Sequence, residues 1–179
     1  MKQLFPILFI LVSHPSFSKA DTFREEASQL ANDLKTALMK EVTAKVSSKG
    51  ASEAISFCHM NVAPIAKKAA GERITKYKLG RTSHKVRNQK NAPEEWIKPY
   101  IKKYKKSKPG KDSAAVIHKF SDGKRAYIEP LYMQPVCLNC HGTNVSLSVK
   151  DKIKELYPED QATGFRLGEF RGLLWIKEQ

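Results

Sequence analysis

Apolar residues recur every three or four positions along the first part of the chain, the spacing of one helix face. They are Phe23, Ala27, Leu30, Leu34, Leu38, Val42 and Val46. Residues 22–25 have capping-box spacing, and the polar run 47–50 is predicted to end this helix. The same periodicity predicts a second helix over about 52–70, with Gly71 as its C-terminal stop.

Cys58 belongs to the apolar face of this second helix. At about 100° per residue, Cys58 and Val62 fall near the middle of that face, whereas His59 turns toward its margin. We therefore expect the Cys58 thiol to be buried.

The rest of the chain predicts mostly β-structure. Residues 80–95 lose all periodicity and form a polar loop, after which Pro93 opens a short third helix. Two strand-like runs, 114–120 and 125–133, flank an Asp-Gly turn and predict a hairpin that leads into Pro135. Its second strand would place the segment after Pro135 at the edge of a sheet.

A polar helix is predicted at about 147–156 and a second hairpin at 164–167 and 170–176. Helices that precede antiparallel strands define an α+β class, in which the N-terminal helices pack on the sheet.

The segment Cys137-Leu138-Asn139-Cys140-His141 carries the most specific chemistry. Two thiols three positions apart, followed directly by an imidazole, form the pattern that attaches a c-type haem. One turn of chain presents both sulfurs to one edge of the porphyrin and brings His141 to the iron. The motif predicts one covalent haem c, with His141 as the proximal ligand.

The N-terminus supports this prediction, because c-type haem is attached outside the bacterial cytoplasm. A short positive segment, an apolar run and small residues before position 21 predict a cleaved signal peptide at 1–20. The remainder, 21–179, has the length of a single domain. We expect a periplasmic, soluble protein with no stable membrane insertion after cleavage, because no later apolar stretch approaches about 18 residues.

The chain is strongly basic, with a net charge of +14. In an exported protein this charge indicates an acidic redox partner or an anionic surface rather than nucleic acid. The lysines between positions 98 and 111 would form either a solvated face or a docking patch for such a partner. The oligomeric state is not predicted.

Several side chains offer a second axial ligand for a haem iron. They are Cys58, His59, Met60, His84, His118 and Met133. Cys58 is favoured because it is the third cysteine of an exported protein and has no intramolecular partner, and iron would protect its sulfur. The alternatives are His59 or Met60 as ligand, with Cys58 as a small core residue.

The sequence also resembles the family of small c-type haem proteins built on a PAS-like domain. The matching segments are 54–58, 63–66, 81–83, 87–88, 91–93, 137–142, 162–165, 168 and 171–172. The resemblance implies a PAS-like fold, axial ligation by a histidine and a cysteine, and either electron transfer or redox sensing. His59-Met60, directly after the cysteine, departs from the family pattern.

Two arginines of the polar loop, Arg81 and Arg87, are candidates to bind the haem propionates through charge-assisted hydrogen bonds. The favoured function is electron transfer through a six-coordinate haem, and the alternative is a redox or gas sensor that acts through a separate partner. A zinc site made by the three cysteines and one histidine is a third hypothesis. No catalytic set stands out, so we expect no enzyme activity.

Overall fold

The computed structural model describes residues 19–110 and 113–179, with side chains from residue 22 onward. The predicted signal peptide lies outside the described residues, apart from the backbone of its last two positions. Within the described part of the chain, no helix combines the length and apolar character needed to cross a bilayer.

Helix α1 spans Lys19–Ala70 and is broken at Gly50, whose φ of 81° and ψ of 169° lie outside the helical region. The two limbs lie side by side and antiparallel. Across the break, the Lys45 Nζ atom is 4.9 Å from the Phe57 ring centroid. Arg73, just beyond the second limb, donates to Asp33 at 2.7 Å. The prediction of two helices separated near position 50 is therefore confirmed.

Four strands form one antiparallel sheet in the order β1-β4-β3-β2. They are β1 (Tyr77–Thr82), β2 (Val116–Lys119), β3 (Arg125–Tyr132) and β4 (Phe170–Glu178). The predicted β2–β3 hairpin is confirmed, with Gly123 at a φ of 83° in its turn. The α+β class is also confirmed.

Two predictions of local structure are wrong. The polar loop predicted at 80–95 begins inside a strand, because β1 extends to Thr82. The second hairpin does not form: Phe165 makes only an isolated bridge with Gly142, and β4 pairs with β1 and β3 instead. The pairing of β1 with β4 joins residues that are far apart in sequence. Local periodicity cannot specify such partners.

The sheet is covered on both faces. Phe23, Leu30 and Leu34 of α1 pack with Tyr77 and Ile176 on one face. On the other face, helix α2 (Lys98–Tyr104) and the 3₁₀ turn before it cover a second buried cluster. These members are Ile97, Ile101, Tyr104, Ile128, Phe170 and Leu173.

One end of the sheet collects the segments that matter for function. β1 and β3 each pair antiparallel with β4, so they end where β4 begins. A 3₁₀ turn (Pro135–Cys137) and helix α3 (Leu138–His141) follow β3 at this end. The predicted position at the edge of the sheet is wrong, because β3 is an inner strand and the motif lies beyond the end of that strand. We call this end the motif end.

Helix α4 (Leu147–Leu156) forms as predicted and joins the motif to α1. Its Val149 and Ile153 form a buried cluster with Ile55 of the second α1 limb. Cys140 and Tyr157 pack against the same cluster. The limb that carries Cys58 is thereby docked beside the cysteine motif.

Candidate functional site

The cysteine motif is held in a single turn that the local sequence dictates. Pro135 starts the 3₁₀ turn, and Gly142 ends α3, where a Cβ atom would lie 2.5 Å from the Leu138 carbonyl oxygen. Cys137 and Cys140 are half-buried free thiols, and the Cys140 Sγ atom is 3.9 Å from the Ala51 carbonyl oxygen. The Cys140 thiol thus faces the second limb of α1, whereas Cys137 packs against Met133, Ala162 and Phe165.

His141 is prepared to act as a neutral ligand. Its Nδ1 atom lies 2.6 Å from the carbonyl oxygen of Ala162. A carbonyl only accepts hydrogen bonds, so Nδ1 carries the proton and Nε2 keeps its lone pair. Burial, followed by the nearby Arg171 and Arg87, lowers the pKa of His141 well below its ordinary value. The imidazole is therefore neutral at physiological pH and available for coordination through Nε2.

The structure brings Cys58 to the same place. Burial raises the pKa of the Cys58 thiol, while the charges of Arg81 and Arg87 act in the opposite direction. Cys58 also interacts electrostatically with Cys140. The thiol is half-buried rather than fully buried as predicted, because it faces the motif end instead of a closed core.

The two neighbours of Cys58 point elsewhere. His59 is exposed and its ring meets the edge of Tyr157, with the centroids 5.0 Å apart. Met60 is 66% exposed. Both side chains are therefore more exposed than that of Cys58.

The other three candidate ligands make packing or hydrogen-bonding contacts in the core or at the sheet edge. Met133 is 1% exposed and packs with Ala162 and Phe165. His84 stacks on Phe170 with the ring centroids 5.7 Å apart. His118 lies on the edge strand β2, where its Nδ1 atom is 3.0 Å from the hydroxyl of Tyr100. We reinterpret these residues as packing or hydrogen-bonding groups.

Arg87 is a buried structural residue, with 12% of its side chain exposed and 6% of that of its partner Asp160. Its Nε atom donates to Asp160 at 2.9 Å, and Nη2 donates to the Cys140 carbonyl oxygen at 2.7 Å. These contacts tie the motif to the segment that contains Ala162. Binding of a propionate by Arg87 stays a prediction.

Arg81 lies near the end of β1. Its side chain is exposed to solvent, yet enough protein surrounds it that desolvation lowers its pKa. It interacts electrostatically with Cys58, Tyr157 and Cys137. Its guanidinium has no ion pair or side-chain hydrogen bond among the described residues, so its charge is available to a ligand.

Arg171, on β4, joins this group, and the sequence did not predict it as a site residue. Burial, followed by repulsion from Arg81 and Arg87, lowers its pKa to about 10. Its Nη1 atom donates to the Lys85 carbonyl oxygen at 3.2 Å. Asp160 pairs with Arg87 and also acts electrostatically on Arg171. The motif end therefore has an excess of positive charge.

Sequence reasoning missed Asp160 and Ala162 as well as Arg171. Arg171 lies in one of the segments that carry the family resemblance, so that signal existed. Asp160 had none, because its partner Arg87 is 73 positions away. Ala162 acts through its carbonyl oxygen, which every residue type provides.

The basic segment after α2 is open to solvent. Its exposed lysines are Lys98, Lys102, Lys103, Lys105, Lys106 and Lys108. Lys98 pairs with Glu95, and Lys103 lies over the Tyr104 ring. Lys111 lies outside the described residues. We call these exposed lysines the lysine patch.

The fold and the site define a class: an α+β domain in which a Cys-x-x-Cys-His turn, a third cysteine and three arginines meet at one end of an antiparallel sheet. Residues 18–178 match the model of the Tll0287-like family, and the chain belongs to that family. Among solved structures, it is similar to the cyanobacterial heme-protein Tll0287. The two share 20% sequence identity with a TM-score of 0.63, and the match covers 89% of this chain and 95% of that one. No curated protein matches.

The zinc hypothesis finds no support in the geometry. Across residues 19–110 and 113–179, no three histidine, cysteine, aspartate or glutamate side chains gather closely enough to hold a metal ion. A structural zinc site needs four such ligands at about 2.0–2.3 Å from one point. A haem iron needs only two protein ligands, on opposite sides of the porphyrin plane.

Proposed function

We propose that this protein is a periplasmic mono-haem c-type cytochrome that transfers electrons. Cys137 and Cys140 form the thioether bonds, and His141 and Cys58 are the axial ligands. The observation that carries the proposal is the meeting of Cys58, the motif and Arg81 at one end of the sheet. Membership of a family whose structural relative is a heme-protein supports it.

The charge of the motif end fits such a group. Arg81, Arg87 and Arg171 lie there, and Asp160 pairs with Arg87, so two arginines have no ion-pair partner among the described residues. A haem carries two propionates, and their charges match this excess. Arg81 and Arg171 are the better candidates to bind them, because Arg87 already holds Asp160 and the Cys140 carbonyl oxygen.

The state of each ligand supports its role. His141 is neutral, with Nδ1 donating to Ala162, so that Nε2 is free to coordinate. Cys58 has a raised thiol pKa and stays protonated until a metal draws off its proton, while Arg81 stabilises the resulting thiolate. When bound, a haem supplies an iron that alternates between ferric and ferrous states.

Ligation of the iron by both His141 and Cys58 would favour electron transfer over substrate turnover. With both residues bound, small molecules would reach the metal only after one of these ligands is lost. The lysine patch is the surface that we assign to an acidic redox partner.

The test is a redox titration of the protein matured in a periplasm that attaches c-type haem. We expect one reversible one-electron transition, and no change in the visible spectrum when carbon monoxide is added to the reduced protein. Rapid binding of carbon monoxide at physiological potential would instead support a haem-based gas sensor. Absence of haem from the purified protein would contradict the proposal altogether.

A further inference from the structure

Beyond its ion pair, Arg87 is connected to His141 through two backbone carbonyl groups. Its Nη2 atom donates to the carbonyl oxygen of Cys140 at 2.7 Å and lies 3.4 Å from that of Ala162. The Ala162 carbonyl is the acceptor of the His141 Nδ1 proton, at 2.6 Å. Arg87 therefore contacts the chain on both sides of the imidazole.

Asp160 completes the arrangement. Its Oδ1 atom accepts from Arg87 Nε at 2.9 Å and also from the Ala162 N–H at 3.1 Å. The carboxylate thereby holds the backbone of Ala162 from its N–H side, and the carbonyl of the same residue faces His141. Backbone bonds from Gly164 to Gly142 and from Phe165 to His141, both 3.0 Å, hold the same segment against the motif.

We propose that Arg87 and Asp160 are positioning residues for His141. They orient the Ala162 carbonyl so that it accepts the Nδ1 proton, which fixes the tautomer, the plane of the ring and the electron density at Nε2. This inference rests on the proposed function for its consequence at the metal, whereas the hydrogen-bond network is a property of the polypeptide.

Burial makes the Arg87–Asp160 ion pair effective in positioning the Ala162 carbonyl. A network with little access to water is rigid when every member has a partner and fails when one member is lost. Lysine keeps the charge of arginine but lacks the planar fork with which Arg87 reaches Asp160, Cys140 and Ala162 together. A strong hydrogen bond at Nδ1 makes a histidine a better electron donor to its metal and so favours the oxidised state.

The matched experiment compares Arg87→Lys with Arg73→Lys in the haem-loaded protein. Arg73 also donates to a carboxylate, that of Asp33, and to a backbone carbonyl oxygen, but it lies just before β1, away from the motif end. We expect Arg87→Lys to raise the reduction potential and to speed hydrogen exchange of the His141 Nδ1 proton, measured by ¹⁵N NMR in the reduced state. Arg73→Lys should leave that exchange rate unchanged. Equal effects of the two lysine variants would overturn the proposal.

Asp160→Asn is the second variant, in case Arg87→Lys folds poorly. The carboxamide keeps the shape of Asp160 but loses the ion pair, so exchange of the Nδ1 proton should again become faster. An unchanged exchange rate in Asp160→Asn would also contradict the proposal. If the wild-type protein carries no haem, the proposed function fails, but the same exchange measurement on the haem-free chain still tests the network.

Discussion

The two ends of the sheet differ in how their arginine side chains are paired with carboxylates. At the end away from the motif, Arg125 pairs with Glu178 at 2.5 Å and its guanidinium lies over the Phe23 ring. At the motif end, Asp160 pairs with Arg87, whereas Arg81 and Arg171 have no ion-pair partner among the described residues. Charge that is paired within the chain serves folding, whereas an excess that the chain leaves unpaired is suited to an anionic ligand.

The largest effect that separates the two ends is expected from the sulfur ligand. In the haem-loaded protein, Cys58→Ser should raise the reduction potential, because a thiolate stabilises ferric iron and a hydroxyl does so poorly. The thiolate-to-iron features of the ferric absorption and low-spin resonance spectra should disappear while the haem stays covalently attached.

His59→Ala is the matched control for that change, because His59 is adjacent in sequence but exposed. It should leave the ferric spectrum almost unchanged. The opposite result, a new open coordination position in His59→Ala and no change in Cys58→Ser, would show that His59 is the ligand and Cys58 a packing residue.

Glu178→Gln and Arg81→Gln test the contrast between paired and unpaired charge directly. Glu178→Gln breaks a half-buried ion pair and should lower the free energy of unfolding by about 1–2 kcal/mol without moving the potential. Arg81→Gln breaks no ion pair, so unfolding should change by less than about 0.5 kcal/mol. The loss of a cation near the metal should nevertheless lower the potential. Denaturant unfolding and redox titration of both variants measure these effects. A shifted potential in Glu178→Gln together with a loss of stability in Arg81→Gln would refute the distinction between paired and unpaired charge.

How far the sequence predicts this structure depends on whether the signal is local. The helical limbs on either side of Gly50, helix α4 and the β2–β3 turn follow from short-range periodicity and turn residues, and all were predicted. The cysteine motif is local in the same sense. β1 was missed because Gly80 and Arg81 interrupt its apolar pattern; its pairing with β4 stabilises it instead.

The site shows the same limit. Cys58 and His141 were identified as candidates from the cysteine count and the motif, but the placement of the Cys58 limb beside the motif depends on packing between the second limb of α1 and α4. The ion pair of Arg87 with Asp160 was not predicted, since it joins positions far apart in sequence. Long-range pairs of this kind are set by tertiary structure, and residue type alone does not reveal them.

The lysine patch gives a weaker contrast, because its charges are exposed and screened. Reversing Lys102, Lys103 and Lys106 to glutamate should slow electron exchange with an acidic partner by about tenfold at low salt and much less at physiological salt. Reversal of Lys40, Lys49 and Lys68, which are equally exposed on α1, changes the net charge identically and is the control. Stopped-flow rates that fall equally in both variants would indicate a general charge effect instead of a docking patch.

The smallest expected difference between the two ends is their response to acid. Burial, followed by Lys105, Lys85 and Arg171, lowers the pKa of His84 below its ordinary 6.5, against a weaker opposing effect of Glu169. Just below pH 6.5, His84 therefore binds a proton in the unfolded chain but stays neutral in the folded chain. The free energy of unfolding falls as the pH drops from 6.5 toward the pKa of His84 in the folded protein.

Glu178 affects the free energy of unfolding over a lower pH range. Its hydrogen bond from Arg125 lowers the pKa below 4.5, so its contribution is complete above pH 4.5 and is lost as the pH falls through the folded value. Unfolding free energies measured across pH should lose their upper slope in His84→Gln and their lower slope in Glu178→Gln. If either substitution removed the other slope, the assignment of the two groups would be wrong.

The central claim is that the motif end carries a covalently attached haem, and the mass of the denatured protein tests it most directly. The wild-type chain, produced with c-type maturation machinery, should weigh one haem more than the processed polypeptide and keep its colour in acid solvent. Cys140→Ala should lose most of that attached mass. A protein that releases all of its haem on denaturation, or that never carries any, would contradict this account.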